Sequence, residues 1–207
     1  MDLELQEAMA RIAQIRHQMA RTELFRGYRA WHVAFSGLVA GAAAIAQALW
    51  LREPRQELGL YLTLWIGAAI LSAAAAAAGM IDRRRRAASA WSREITILAV
   101  EQFVPCILAG GLLTAVIVVT ASDLAWILPG LWQVLFSLGL FASSRLLPHQ
   151  VRLVAAWYLI TGITCIATAR GDAALSPWAM GLPFGLGQAM AAAILRMTLE
   201  RNPGDLA

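Results

Sequence analysis

Apolar residues collect in six stretches along the chain, at 31–51, 60–81, 102–121, 124–144, 151–169 and 176–196. Each is close to the ~20 residues that carry a helix across a hydrocarbon layer of ~30 Å. The polar separators are short, at 52–59, 82–101, 122–123, 145–150 and 170–175. The pattern predicts an all-α integral membrane protein, a six-transmembrane-helix bundle of three hairpins over residues 29–201, with a tail at 202–207.

A different periodicity precedes the first stretch. Leu5, Met9, Ile12, Ile15 and Met19 recur every three or four residues, which marks an amphipathic helix over 1–28. Asp2, Glu4 and Glu7 occupy its first turns, where the helix dipole favours acids, and Glu7 is spaced to pair with Arg11. Such a helix is expected on the cytoplasmic membrane surface, beneath the bundle, or in a short coiled coil with a cytosolic protein or a second copy. No cleavable signal peptide is expected, because these residues are charged and Ala46-Gln47-Ala48 lies too far along the chain.

Composition supports a membrane setting: 59% of the 207 residues are hydrophobic and 14% charged, against roughly 45–50% and 25% in soluble domains. All 17 basic residues are arginine, a bias in keeping with a GC-rich bacterial genome. Fourteen (Arg11, Arg16, Arg21, Arg26, Arg29, Arg83 to Arg86, Arg93, Arg145, Arg152, Arg196, Arg201) fall on one side of the six spans, and only Arg52, Arg55 and Arg170 on the other. Arginine excess in short loops marks the cytoplasm, so a multi-pass protein of the bacterial cytoplasmic membrane with both termini inside is expected. The charge of +4 is thereby explained by topology, not by nucleic acid.

Measured inward from the outer ends, His32, Asp82, Glu101, Arg145, Arg152 and Arg196 all reach the inner interface, where charged side chains snorkel or meet water. Glu101, Arg152 and Arg196 form a candidate charge cluster there, with gating of a cytoplasm-facing cavity as the alternative to solvation. The run Asp82 to Arg86 reads as a topology signal or a site for anionic headgroups. Cys106 and Cys165 differ in depth by ~15 Å, too far for a disulfide. His32 and His149, near the wet interface, do not have the setting of metal or haem ligands. No metal, cofactor or enzyme machinery is expected.

Gly37 and Gly41, and the alanine run between Ser72 and Gly79, offer small faces that favour close helix approach and predict a tight first hairpin. Trp65, Trp126 and Trp178 precede Arg83, Arg145 and Arg196 by 18 or 19 residues, from an ancestral hairpin repeat or from aromatic-belt and arginine placement alone. Two spans carry helix breakers at similar depth: Pro129-Gly130 in the fourth, and Gly181, Pro183, Gly185 and Gly187 in the sixth. Breaks of this kind free carbonyls and point to binding sites in transporters. We therefore expect an irregular sixth helix between Met180 and Gln188, with a pocket drawn from Trp126, Pro129, Gln133, Trp157, Thr161, Trp178, Pro183 and Gln188, and with Trp132 and Thr164 nearby. The alternative is that Pro183 only bends the helix and its glycines pack.

In size and span count the chain is similar to the substrate-binding membrane subunits of vitamin uptake systems. The expected function is a small-molecule carrier or such a subunit, taking a small apolar or weakly polar ligand. The alternative is a membrane sensor that signals to a cytosolic partner through residues 1–28. No carboxylate lies clearly within the apolar core, which argues against an ion-coupled pump.

Overall fold

The computed structural model describes residues 30–86, 90–144 and 149–199, with the side chains of all but 30, 80–100, 172 and 199. The expected amphipathic helix at 1–28, the tail at 202–207 and Arg145 lie outside the described residues. Six α-helices lie among the described residues: α1 (Ala30–Trp50), α2 (Leu58–Arg86), α3 (Ala90–Thr120), α4 (Leu128–Ser143), α5 (Val151–Thr168) and α6 (Pro177–Leu199). A 3₁₀ helix, Ser122–Ile127, leads directly into α4, and a shorter one, Gly171–Ala173, precedes α6. No strand occurs among the described residues. The fourth apolar stretch is the 3₁₀ helix plus α4, and all six stretches are long and apolar enough to cross a membrane.

One expected connection is largely helical. The separator at 82–101 ends the apolar runs but not the helices: α2 continues through Arg83 to Arg86, and α3 begins at Ala90. Alanine and arginine are among the best helix formers, so polarity stops the hydrophobic pattern without stopping the hydrogen-bond ladder. At 31 residues, α3 is about 46 Å long.

The packing order also departs from three self-contained hairpins. Sequence neighbours do touch, but the most extensive contacts join α1 to α6 and α4 to α5, and α3 packs on α4. The first and last helices thus lie side by side, with α2 and α3 on the flanks as the least buried spans. The small-residue face of α1 serves α6, not α2: a side chain on Gly37 would meet Gln188 and the Gly185 carbonyl, and Gly41 faces open space. The alanines of α2 are exposed or half-buried, and the close approach of α2 to α1 at that end is Gly79 against the His32 ring. The first hairpin does form, with Gly79 against His32 and Trp65 bonded to Gln47, but the α1–α6 pair is the more extensive contact. Small residues permit close approach without saying which helix will use it.

The α4–α5 contact has the same basis in reciprocal form. A Cβ on Gly130 would stand 2.7 Å from the Gly162 carbonyl, and one on Gly162 would stand 2.8 Å from the Gly130 carbonyl. Below this crossing, Phe136 of α4 meets Phe103 of α3, Tyr158 of α5 and Phe184 of α6 edge-on, with ring centroids 5.2, 4.8 and 5.5 Å apart. Such contacts add about 0.5–1.5 kcal/mol each beyond burial. Cys106 and Cys165 are free thiols, both half-buried.

Gly130→Ala and Gly162→Ala are each expected to destabilise the folded protein by about 1–3 kcal/mol through overpacking, seen as a lower unfolding temperature of the purified protein. Gly41→Ala, with nothing near its Cβ, serves as the control and is expected to leave that temperature unchanged.

Candidate functional site

The sixth helix is not broken. α6 runs without interruption from Pro177 to Leu199 with Pro183 inside it, contrary to the irregularity expected between Met180 and Gln188. An interior proline removes one amide and leaves the carbonyl four residues earlier without its donor. Here that carbonyl belongs to Ala179, and the side chain of Gln133 in α4 donates to it at 2.9 Å. Trp157 of α5 donates its indole N–H to the carbonyl of Pro183 itself at 3.0 Å. Gln133 thus restores the bond that proline removes, and Trp157 adds a second inter-helix donor to the same stretch of α6. The glycines serve packing: a Cβ on Gly181 would stand 2.5 Å from Ala44 of α1, and one on Gly187 would stand 2.5 Å from the Tyr158 ring of α5. α6 is wedged between α1 and α5 on those two positions.

The fourth span does change character near its proline. The 3₁₀ helix gives way to α4 at Leu128, and Pro129 occupies the first turn, where a missing amide costs a helix nothing.

Five of the eight candidates, Pro129, Gln133, Trp157, Thr161 and Pro183, meet around the proline of α6 through hydrogen bonds or a shared cleft, but no one pocket is lined by all eight. Gln133 is fully buried, and its Nε2 also donates to the Pro129 carbonyl at 3.2 Å; its Oε1 has no hydrogen-bond partner among the described residues. Gln188 is half-buried against Gly37, and the Tyr158 hydroxyl faces its amide without a close hydrogen bond. Trp178 is exposed at the start of α6. Thr161 and Pro183 border a shallow cleft of about 310 Å³ between α5 and α6, with Thr164, Cys165 and Thr168. The hydroxyls of Thr161 and Thr168 donate to carbonyls of their own helix, Trp157 and Thr164, so the cleft presents mainly carbon. Trp126 alone of the eight borders a second cavity, described below.

Glu101, Arg152 and Arg196 are all exposed, Glu101 about a third of the way along α3, Arg152 at the start of α5 and Arg196 in the last turn of α6. No group of three or more potential metal ligands occurs among the described residues.

Sequence reasoning missed the most completely satisfied polar side chain. Gln47 of α1, fully buried, accepts from the Trp65 indole of α2 at 2.7 Å and donates to the Leu175 carbonyl at 2.6 Å. Trp132 repeats half of this arrangement, donating to Thr114 at 2.9 Å over the same separation of 18 residues. The tryptophans picked out by their spacing to arginine are not equivalent in packing: Trp65 is buried, Trp126 half-buried and Trp178 exposed. A polar residue one hairpin length before a tryptophan was the available signal.

The connections between α1 and α2, α3 and α4, and α5 and α6 converge at one end of the bundle. They enclose a cavity of about 340 Å³ lined by Arg55, Gln56, Leu58, Ser122, Asp123, Ala125, Trp126 and Leu175. Ala125 and Leu175 form a buried floor, and Arg55, Gln56, Ser122 and Asp123 an exposed polar rim. The α5–α6 connection turns at Gly171, whose φ of +63° is cheap only for glycine, and Arg55 Nη1 lies 3.8 Å from where a Cβ there would be. Its volume falls within the ~300–1,000 Å³ of small-molecule pockets. Neither Arg55 nor Asp123 was a sequence candidate, since the loops that bring them together are far apart in the chain. No protein-family model, curated protein or solved structure matches the chain.

Gln133→Leu is expected to cost stability by stripping the Ala179 carbonyl of its donor, about 1–3 kcal/mol. In a Pro183→Ala background α6 regains the amide that pairs this carbonyl, so the same change is expected to cost about 1 kcal/mol less. A double-mutant cycle on thermal unfolding measures the difference, and strict additivity contradicts the assignment.

Proposed function

We propose that the chain is a multi-pass protein of a bacterial cytoplasmic membrane that binds a small molecule at its short-connection end, as a carrier or as the membrane-embedded binding subunit of an uptake system. The observation that carries this reading is the cavity where the three short connections meet. It lies beside Trp126, in the 3₁₀ helix that leads into α4, and is floored in part by Leu175, just before α6. The arginine excess on the other side supports an orientation with this end outside the cell and both termini in the cytoplasm. An opening on that face suits capture of a ligand from outside.

A sensor is the second reading, favoured by one contact. Leu175, in the cavity floor, is tied through its carbonyl to Gln47 of α1, and α1 leads back towards residues 1–28. A ligand that shifts Leu175 pulls on the helix attached to the N-terminal segment. Deletion of residues 2–28 separates the readings: a carrier keeps uptake, and a sensor loses its partner while keeping ligand binding.

A reporter enzyme active only outside the cytoplasm is expected to stay silent when fused after Ala207 and to be active when inserted beside Arg52. The reverse pattern overturns the orientation. Ala125→Phe, which fills the cavity floor, is expected to abolish thermal stabilisation of the purified protein by small metabolites while leaving its ligand-free unfolding temperature within a few degrees of the parent. Stabilisation that survives this change contradicts the cavity as the binding site.

A further inference from the structure

Resting on the reading of the short-connection cavity as a ligand site, we infer that it recognises a small zwitterion, a primary ammonium and an anionic group on one short carbon frame. Arg55 would take the anion and Asp123 the ammonium. The two residues come from different connections yet border the same space. A guanidinium only donates hydrogen bonds and a carboxylate only accepts them, so the rim offers one site of each kind. An anion or a cation alone would match one of these charges and approach the other unfavourably. A molecule carrying both matches both. Arg55 already makes an interaction within the fold, and the five donors of a guanidinium allow it to serve an anion as well. Ala125, Leu175 and the Trp126 ring leave an apolar place for the carbon frame between the charges.

This chemistry has two natural sources, a free amino acid and the ethanolamine phosphate headgroup of a lipid. The test uses the full chain in nanodiscs of phosphatidylglycerol alone, titrated calorimetrically with L-alanine, L-leucine and O-phosphoethanolamine, and with propionate and propylamine as singly charged controls. At least one zwitterion is expected to bind at least about tenfold more tightly than either control, and Asp123→Asn to remove at least about tenfold of that affinity, the size of one lost charge-assisted hydrogen bond. Amino acids binding without phosphoethanolamine assigns the free ligand. Phosphoethanolamine binding alone, with phosphatidylethanolamine retained in native mass spectrometry by the parent and lost from Asp123→Asn, assigns the headgroup. Controls that bind as well as the zwitterions, no binding by any probe, or an unchanged affinity in Asp123→Asn overturns the inference. Ala125→Phe separates the two levels. Zwitterion binding that survives it refutes the cavity itself, whereas binding lost in Ala125→Phe but kept in Asp123→Asn refutes only the charge assignment.

Discussion

A proline inside a helix leaves one carbonyl without an amide, and where no water reaches, that carbonyl must be met by protein. In α6 it is met by Gln133, reaching across from α4 to Ala179. The consequences spread from there. Gln133 must be fully buried to make the bond, so α4 lies close to α6, and the glycine crossing at Gly130 and Gly162 brings α5 against α4 from the other side. Trp157 then comes within reach of the Pro183 carbonyl. Three helices are held in register by the repair of one missing hydrogen bond.

The six helices were legible because length and hydropathy alone decide whether a segment can span a hydrocarbon layer. Their partners were not. A helix that is apolar on every side gives no amphipathic stripe to fix its rotation, so Gly37 and Gly41 announce a close contact without naming it. α6 supplies that contact, with Gly181 against Ala44 and the Gly185 carbonyl beside Gly37. The helical continuation through Arg83 to Arg86 was hidden for a related reason: a hydropathy window detects where apolar residues end, and backbone hydrogen bonding follows propensity.

The site was less legible than the fold. Gly181, Pro183, Gly185 and Gly187 have the composition of a broken helix, but whether proline breaks a helix depends on a donor supplied by another helix, Gln133 here. Sequence order carries no trace of that proximity. The converse holds for Arg55 and Asp123, two ordinary loop charges whose interest arises only because separate connections bring them to one cavity. Gln47 falls between these cases. Its position in an apolar span was visible, and its roles as acceptor for Trp65 and donor to Leu175 required the arrangement of three helices.

The pairing of first helix with last also bears on how the chain acquires its structure during synthesis. Gln47 and the carbonyl it bonds are 128 residues apart, and α6, which packs against Gly37 of α1, is made after the four helices between them. Contacts of such long range are slow to form, because much loop entropy must be lost before they return any stabilisation. Until α6 arrives, α1 carries a buried-type glutamine and an open glycine face with only α2 beside it. The nascent protein thus passes through a stage in which α1 is unfinished and open to the wrong neighbour, and a chain cut short before Pro177 would remain there.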